Sequence, residues 1–255
     1  MHLTVLTGAS RGMGLAMAQQ LLSPDRLLLC LSRRTNAELQ ARADALHAPL
    51  LQWPVDLAEP EPAARRLGEW LAGQPATGLH SATLINNAGV IPTVAPLEAV
   101  PPTEVAQALR VGLEAPMLLT GAFLAATARW VDQGWRGPRR VLNISSGLGR
   151  YPMASQAPYC AAKAGLDHFT RCAALDQAQQ PHGARLVSLA PGVIDTDMQV
   201  QLRGADAAAF PDRARFVELQ RGGQLTSPEQ AAARVLAWLD RPDFGQNPVA
   251  DVRDA

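Results

Sequence analysis

Short apolar runs alternate with longer amphipathic stretches along most of the chain, and each pair predicts a β-strand followed by an α-helix. The predicted strands lie at 3–7, 26–32, 50–55, 82–86, 141–145 and 185–189. The predicted helices lie at 13–22, 36–47, 62–71, 102–130 and 155–179. Ser227, followed by Pro228 and Glu229, has the residue types of a helix N-cap and first turn, which predicts a further helix through Leu239. Residues 248–252 could supply a last edge strand.

Strand–helix–strand connections are almost always right-handed, so this order of elements predicts a parallel sheet covered by helices on both faces. No low-complexity segment divides the chain. We therefore expect an α/β protein with one doubly wound, Rossmann-type domain over residues 1–255. Its sheet should have seven strands, mostly parallel, and its ligands should bind outside the carboxyl ends of those strands.

Residues 198–225 fit this scheme least well, because their apolar side chains lie among charges, glycines and a proline. They are the best prediction for a lid over a bound substrate. A helical excursion on the surface with no gating role is an equally good interpretation.

The amino-acid composition indicates what kind of partner the protein binds. The 23 lysines and arginines balance the 23 aspartates and glutamates, so neither nucleic acid nor an anionic membrane surface is favoured. The three cysteines have no CxxC spacing and the five histidines are scattered, which argues against a disulfide framework and against a metal site. No basic segment precedes the first apolar run, and the longest charge-free stretch is interrupted by asparagines, a glycine and prolines. We expect a cytoplasmic protein that binds a small molecule.

Several motifs stand at the ends of predicted strands. The first strand runs into Thr7-Gly8-Ala9-Ser10-Arg11-Gly12-Met13-Gly14, where glycines allow a tight turn and let backbone amides approach a pyrophosphate at a helix N-terminus. Asn86-Asn87-Ala88-Gly89 follows the fourth strand, and Asn143-Ile144-Ser145-Ser146 ends the fifth. Tyr159 and Lys163, four residues apart on the next helix, share one helix face, and Ser146 precedes Tyr159 by 13 residues.

Together these motifs resemble the short-chain dehydrogenase/reductase family, and the resemblance extends over almost the whole chain. It implies that Ser146 polarises a carbonyl, that Tyr159 donates a proton, and that Lys163 holds the nicotinamide ribose while favouring the ionised tyrosine. It also implies a row of nucleotide contacts along the sheet edge. These fall on Gly8, Ser10, Arg11, Gly12, Met13, Gly14, Ser32, Arg33, Arg34, Asp56, Leu57, Asn87, Ala88, Gly89, Tyr159, Lys163, Pro191, Gly192, Val193 and Thr196.

The end of the second strand indicates which nucleotide is bound. Ser32 stands where an NAD-preferring member of the family carries an acid, and Arg33 and Arg34 follow it. Guanidinium groups can hold a 2′-phosphate through charge-assisted hydrogen bonds, and Arg11 in the glycine loop would add a third cation. We therefore expect NADP(H); the alternative is that these arginines are only solvated surface residues. Asp56 also has a simple alternative role, as a helix N-cap.

The chain departs from the family in its long fourth helix, where many members carry an asparagine that helps to hold a water linked to the lysine. Gly112 takes that position here. A glycine in mid-helix costs about 1 kcal/mol relative to alanine, so it could mark a kink or leave space for water. The route by which Tyr159 regains its proton is therefore open, and a backbone carbonyl is one possibility.

The downstream region resembles the sepiapterin reductase and bacterial benzil reductase branch of the family, through Asp195-Thr196-Asp197-Met198-Gln199 and the residues that follow. This resemblance implies an NADPH-dependent carbonyl reductase acting on a ketone, an aldehyde or a vicinal dicarbonyl, and a homodimer or homotetramer. The alternatives are 3-oxoacyl or alcohol dehydrogenase activity, or a nucleotide-binding sensor without turnover. The predicted pocket walls are Leu148, Tyr151, Met153, Met198 and Phe210.

Overall fold

The computed structural model describes residues 1–254. Within them lies one seven-stranded sheet, with strands in the order β3-β2-β1-β4-β5-β6-β7 and every adjacent pair parallel. The strands are β1 (His2–Thr7), β2 (Arg26–Ser32), β3 (Leu50–Pro54), β4 (Ser81–Asn86), β5 (Arg139–Ile144), β6 (Arg185–Ala190) and β7 (Val249–Asp251). The chain reverses its direction of winding between β1 and β4. A ligand cleft is therefore expected at the carboxyl ends of these two strands.

Helices cover both faces of the sheet, as the sequence predicts. They are α1 (Gly12–Leu21), α2 (Ala37–Ala45), α3 (Pro60–Ala72), α4 (Pro102–Leu109), α5 (Ala115–Asp132), α6 (Ala157–Ala178), α7 (Asp197–Gly204), α8 (Arg213–Arg221) and α9 (Pro228–Leu239). One core cluster joins α1, α2 and α9 to the sheet, and a second joins α3, α5 and α6 to its other face. In β1, Leu3 belongs to the second cluster and Leu6 to the first. Burial on both faces explains why the strands read as continuous apolar runs instead of alternating patterns.

The long helical region predicted over 102–130 is two α-helices joined by a π-helical turn, Arg110–Glu114. Pro116 has no N–H to donate to the carbonyl of Gly112, which stands four residues earlier, and the Ala115 N–H bonds to the Arg110 carbonyl instead. The whole segment Pro102–Asp132 is long and apolar enough to cross a membrane, but half of its most apolar stretch is buried inside the protein. It packs on the sheet as a core helix of the fold.

The unusual segment 198–225 forms most of α7 and all of α8, which pack against each other. We call residues 197–221 the cap. The cap has a small apolar cluster of its own, separate from the two clusters on the sheet, made of Leu202, Phe210 and Phe216 together with Val94. The structure gives the segment a packed form, and its role as a lid stays a prediction.

Candidate active site

A cavity of about 910 Å³ opens at the carboxyl ends of the central strands, between the glycine loop and the cap. Its walls bring together residues that are far apart in the sequence, from Gly8 in the first loop to Arg253 near the end of the chain. Ser146, Tyr159 and Lys163 all line it. Every residue predicted to contact the nucleotide also lines it, with the exception of Arg34. We call this cavity the cleft.

Backbone geometry explains the glycines at the nucleotide end of the cleft. Gly8 and Gly12 have φ angles of 71° and 55°, in the left-handed region that favours glycine. A Cβ placed on Gly14 would lie 2.0 Å from the carbonyl oxygen of Gly8, so α1 can start this close to the loop only with glycine there. The result is a tight turn at the N-terminus of α1, a geometry suited to binding a pyrophosphate.

Two polar side chains hold this loop in place. The Ser32 hydroxyl accepts a hydrogen bond of 2.8 Å from the Ala9 N–H. The Asn87 amide donates to the carbonyls of Thr7 and Gly8 at 3.0 and 3.3 Å, while the Thr7 hydroxyl accepts from the Asn87 N–H at 2.9 Å. Ser32 and Asn87 therefore fix the shape of the loop across the switch point between β1 and β4, beside any role that they have in binding nucleotide.

The three arginines predicted to surround a 2′-phosphate occupy different places. Arg33 is exposed and lines the cleft, at the end of β2. Arg34 is exposed too, but it does not line the cleft, and both arginines lie in the bend that follows β2. Its contact with a nucleotide stays a prediction. Arg11 lines the cleft and forms an ion pair of 2.5 Å with Asp197 at the start of the cap. Asp56 makes a turn by accepting a hydrogen bond of 2.9 Å from the Ala58 N–H.

At the other end of the cleft, Lys163 is buried, and its Nζ donates a hydrogen bond of 2.7 Å to the carbonyl of Ile144 at the end of β5. The same Nζ lies 5.7 Å from the centre of the Tyr159 ring. Burial lowers the pKa of Lys163 to about 8, and the charge of Asp167 opposes this shift. The ammonium form therefore predominates at neutral pH. The pKa of Lys163 nevertheless lies much closer to neutral pH than the pKa of an exposed lysine.

Burial raises the pKa of Tyr159 to about 12, although a hydrogen bond with Ser146 works in the opposite direction. The phenol is therefore protonated throughout the neutral range. Ser146 caps the 3₁₀ turn Gly147–Gly149, where its hydroxyl accepts from the Leu148 N–H at 3.2 Å. This hydrogen bond holds the serine between the end of β5 and the start of α6.

Comparisons with known proteins agree with this arrangement. Residues 2–207 match the family of short chain dehydrogenases. This protein is a short-chain dehydrogenase. It is 34% identical to the benzil reductase ((S)-benzoin forming) of Bacillus cereus, an alignment that covers 98% of each chain. It is 32% identical to the sepiapterin reductase of Bos taurus, over 99% of this chain and 94% of the relative.

Solved structures support the same fold. The crystal structure of the KRED1-Pglu enzyme superimposes with a TM-score of 0.78 and 28% sequence identity. The alignment covers 98% of this dehydrogenase and 100% of that chain. The seven-stranded sheet described above is therefore the fold of the family, and the predicted α/β class is confirmed.

Gly112, the departure from the family pattern, is buried in the π-helical turn beside α6. A Cβ at this position would lie 3.1 Å from the Cβ of Ala162, the residue before Lys163. Of the two readings of Gly112, a kink or a space for water, the π-helical turn is an irregularity of the first kind. The glycine lets the π-helical turn approach α6 closely, so its structural effect is on the packing beside the lysine.

Sequence reasoning missed a buried carboxylate in this dehydrogenase. Asp167, one turn after Lys163 on α6, binds Ser145, Ser188 and Arg150. The signal was present, because Tyr159, Lys163 and Asp167 follow at intervals of four residues and so share one helix face. A second missed signal is compositional, since Lys163 is the only lysine in the 255 residues and the chain uses arginine for all its other long-chain cations.

The substrate end of the cleft requires one correction. Leu148, Tyr151, Met153 and Met198 line the cleft as expected, but Phe210 does not, because it is fully buried inside the cap cluster. Apolar residues that the sequence analysis did not select complete the wall: Val90, Ile91, Phe216 and Leu219. Phe216 and Leu219 are three residues apart on α8, a spacing that places both on one helix face toward the cleft.

Proposed function

We propose that this short-chain dehydrogenase reduces a ketone, an aldehyde or a vicinal dicarbonyl to an alcohol with NADPH. One observation carries the proposal: Ser146, Tyr159 and Lys163 line the same cleft as the glycine loop, with the lysine and the tyrosine one helical turn apart. A phenol that is protonated at neutral pH, beside a hydroxyl and a buried ammonium group, is a donor set suited to converting a carbonyl into an alcohol.

Each side chain has a distinct role in this proposal. The Ser146 hydroxyl hydrogen-bonds the substrate oxygen and orients the carbonyl, and the Tyr159 hydroxyl transfers its proton to that oxygen. Lys163 stabilises the phenolate that results, because its ammonium group lies near the ring. When bound, the nicotinamide nucleotide supplies the hydride. Thr196, Pro191, Gly192 and Val193 line the cleft where the nicotinamide amide would sit.

The preference for NADPH rests on the end of β2. Arg33 is exposed at the rim of the cleft, and the position before it holds a serine whose hydroxyl is already bonded to the glycine loop. A carboxylate there would accept hydrogen bonds from the ribose hydroxyls of NADH and would repel a 2′-phosphate, whereas a guanidinium attracts that phosphate. The glycine loop suits a pyrophosphate because Gly14 lets α1 begin directly beside the Gly8 carbonyl, which a Cβ at Gly14 would prevent, and so brings the helix N-terminus to the cleft.

The apolar wall of the cleft favours, as substrate, a dicarbonyl that carries aromatic or branched substituents. Tyr151 is 70% exposed at the mouth of the cleft, and Met153, Met198 and Phe216 lie further in. Flexible methionines and aromatic rings suit flat, apolar substrates. The similarity to benzil reductases favours the same class of compound.

The decisive experiment measures NADPH and NADH oxidation with benzil, biacetyl and a simple aromatic ketone, comparing the wild type with Tyr159→Phe. We expect faster turnover with NADPH, and a loss of at least about 100-fold in kcat for the variant with its nucleotide affinity retained. Turnover that is unaffected by the substitution would reject Tyr159 as the acid. Nucleotide binding with no turnover on any carbonyl would favour a sensor.

We also propose a cytoplasmic homodimer or homotetramer. Leu109 on α4, Met117 on α5 and Leu175 on α6 have exposed apolar side chains. Association through these helices would bury them. Light scattering of the purified protein distinguishes a monomer from either oligomer.

A further inference from the structure

Asp167 is a charged residue in the interior of the protein, with a side chain only 2% exposed. One carboxylate oxygen accepts hydrogen bonds of 2.6 Å from the hydroxyls of both Ser145 and Ser188. The other accepts from Nε of Arg150 at 3.2 Å. The buried carboxylate therefore has three hydrogen-bond donors, and one of them, Arg150, is a cation.

These donors come from elements that surround the catalytic residues. Ser145 directly precedes Ser146, Ser188 lies on β6, and Arg150 follows the 3₁₀ turn and also donates to the Ala250 carbonyl on β7 at 2.9 Å. That turn packs directly on α6, because a Cβ on Gly149 would lie 2.9 Å from the Lys163 carbonyl oxygen and 3.0 Å from the Asp167 carboxylate. Through these side chains, the carboxylate links α6 to the end of β5, to β6 and to the residue after the 3₁₀ turn.

The same carboxylate compensates the charge of the catalytic lysine. Lys163 is buried, and its hydrogen bond to the Ile144 carbonyl neutralises no charge. A buried ammonium group with no opposite charge nearby is destabilised and tends to lose its proton. Asp167 lies one helical turn from Lys163 on α6 and is buried like it, and its charge raises the pKa of the lysine.

Other charges act on this pair. On α6 itself, the titratable residues around the pair are Tyr159, Cys160 and the exposed His168. From other elements, Arg150 contacts Asp167 and lies near Asp251 at the end of β7. The charged residues of the π-helical turn that packs on α6 are exposed to solvent: Arg110 and Glu114. Asp167 is thus the negative group best placed to hold Lys163 in its charged form, and Arg150 is the cation bound to Asp167.

We propose that Asp167 is a positioning residue that keeps Lys163 protonated at working pH, and that Arg150 sets the strength of this effect. The chain's use of a single lysine agrees with this role, since it places a titratable cation only at this site and arginine everywhere else. The effect on catalysis rests on the reductase function proposed above.

The single lysine makes a direct test possible. Protein labelled with carbon-13 lysine gives one side-chain signal for NMR, so the pKa of Lys163 can be followed without turnover. In Asp167→Asn, which keeps a hydrogen-bond acceptor but removes the charge, we expect this pKa to fall by about one unit or more. Reductive activity requires charged Lys163, so the alkaline limb of the kcat profile should move to lower pH by the same amount.

Arg150→Met provides the opposite test, because it removes a cation near Lys163 and should move the pKa and the alkaline limb upward. Ser188→Ala is the matched control, because it removes one neutral hydrogen-bond donor. In this variant the Lys163 pKa and the alkaline limb of the kcat profile should stay within about 0.3 unit of the wild type. An unchanged Lys163 titration in Asp167→Asn overturns the proposal. If that variant does not fold, the absence of an upward shift in Arg150→Met overturns it instead.

The two proposals fail in different ways. A wild-type enzyme that reduces no carbonyl while the NMR shifts have the expected signs contradicts the proposed function alone. If the wild type is active but Asp167→Asn and Arg150→Met have the same Lys163 pKa as the wild type, only the role of Asp167 is contradicted.

Discussion

The two ends of the cleft are built differently. At the nucleotide end, the shape is made by backbone: glycines with positive φ angles, a helix start packed against a carbonyl, and polar side chains that bind the loop. At the substrate end, the wall is made of apolar side chains from the cap and from the loop before α6. Backbone geometry tolerates few residue types, whereas an apolar wall tolerates many, so the first end should be sensitive to single changes and the second adaptable.

The largest effect should follow from Gly14→Ala at the nucleotide end. The new Cβ would meet the Gly8 carbonyl oxygen at 2.0 Å, so the loop must move. We expect the Kd for NADPH to rise by about 100-fold or more, measured by fluorescence titration. Gly68→Ala in α3 is the control, because its Cβ would make only an ordinary contact at 3.6 Å, with Ala122. Equal affinities in the two variants would contradict the comparison.

Arg33→Ala should have the next largest effect, and only on one nucleotide. Loss of a charge-assisted hydrogen bond to the 2′-phosphate should raise the Kd for NADPH by about tenfold and leave that for NADH nearly unchanged. Arg34→Ala removes an equal charge from a position that does not line the cleft, so its effect should be clearly smaller. If the two variants weaken the binding of NADPH equally, the preference for NADPH over NADH comes from the general positive charge at this rim of the cleft.

The substrate end should respond more gently. Phe216→Ala removes one part of the apolar wall, and we expect the KM for benzil to rise by about fivefold while the KM for the smaller biacetyl changes little. Phe210→Ala is the informative partner, because Phe210 is fully buried and does not line the cleft. It should loosen the cap, which hydrogen exchange of α7 and α8 would detect. A change in substrate preference without such loosening would contradict the position of Phe210.

The smallest effect should come from the ion pair between the two ends, Arg11 with Asp197. Both side chains are mostly exposed, 68% and 75%, and such pairs contribute little. If the cap acts as a lid, Asp197→Asn should change the rate of NADPH release by only about twofold, and added salt should remove the difference. A much larger, salt-insensitive change would show that this contact controls the opening of the cleft.

The parts of the active site that were predicted from sequence share one property: each depends on residues close together along the chain. The glycine loop, the asparagine motif after β4 and the spacing between Tyr159 and Lys163 are local patterns, and the structure places all of them in the cleft. Arg34 and Phe210 were selected by proximity in sequence, but Phe210 is buried inside the cap cluster and Arg34 is exposed outside the cleft. Asp167 was missed because its donors lie 17 to 22 residues away.

By itself, the sequence determined the strands, most of the helices, the parallel sheet and the motif residues around the cleft, because apolar periodicity and glycine requirements act over a few residues. Only the tertiary structure decided which side chains meet across the cleft, how strongly burial shifts the pKa values of Tyr159 and Lys163, and which carboxylate compensates the lysine. Burial and charge pairing depend on what packs against a residue from distant parts of the chain, and no local pattern contains that information.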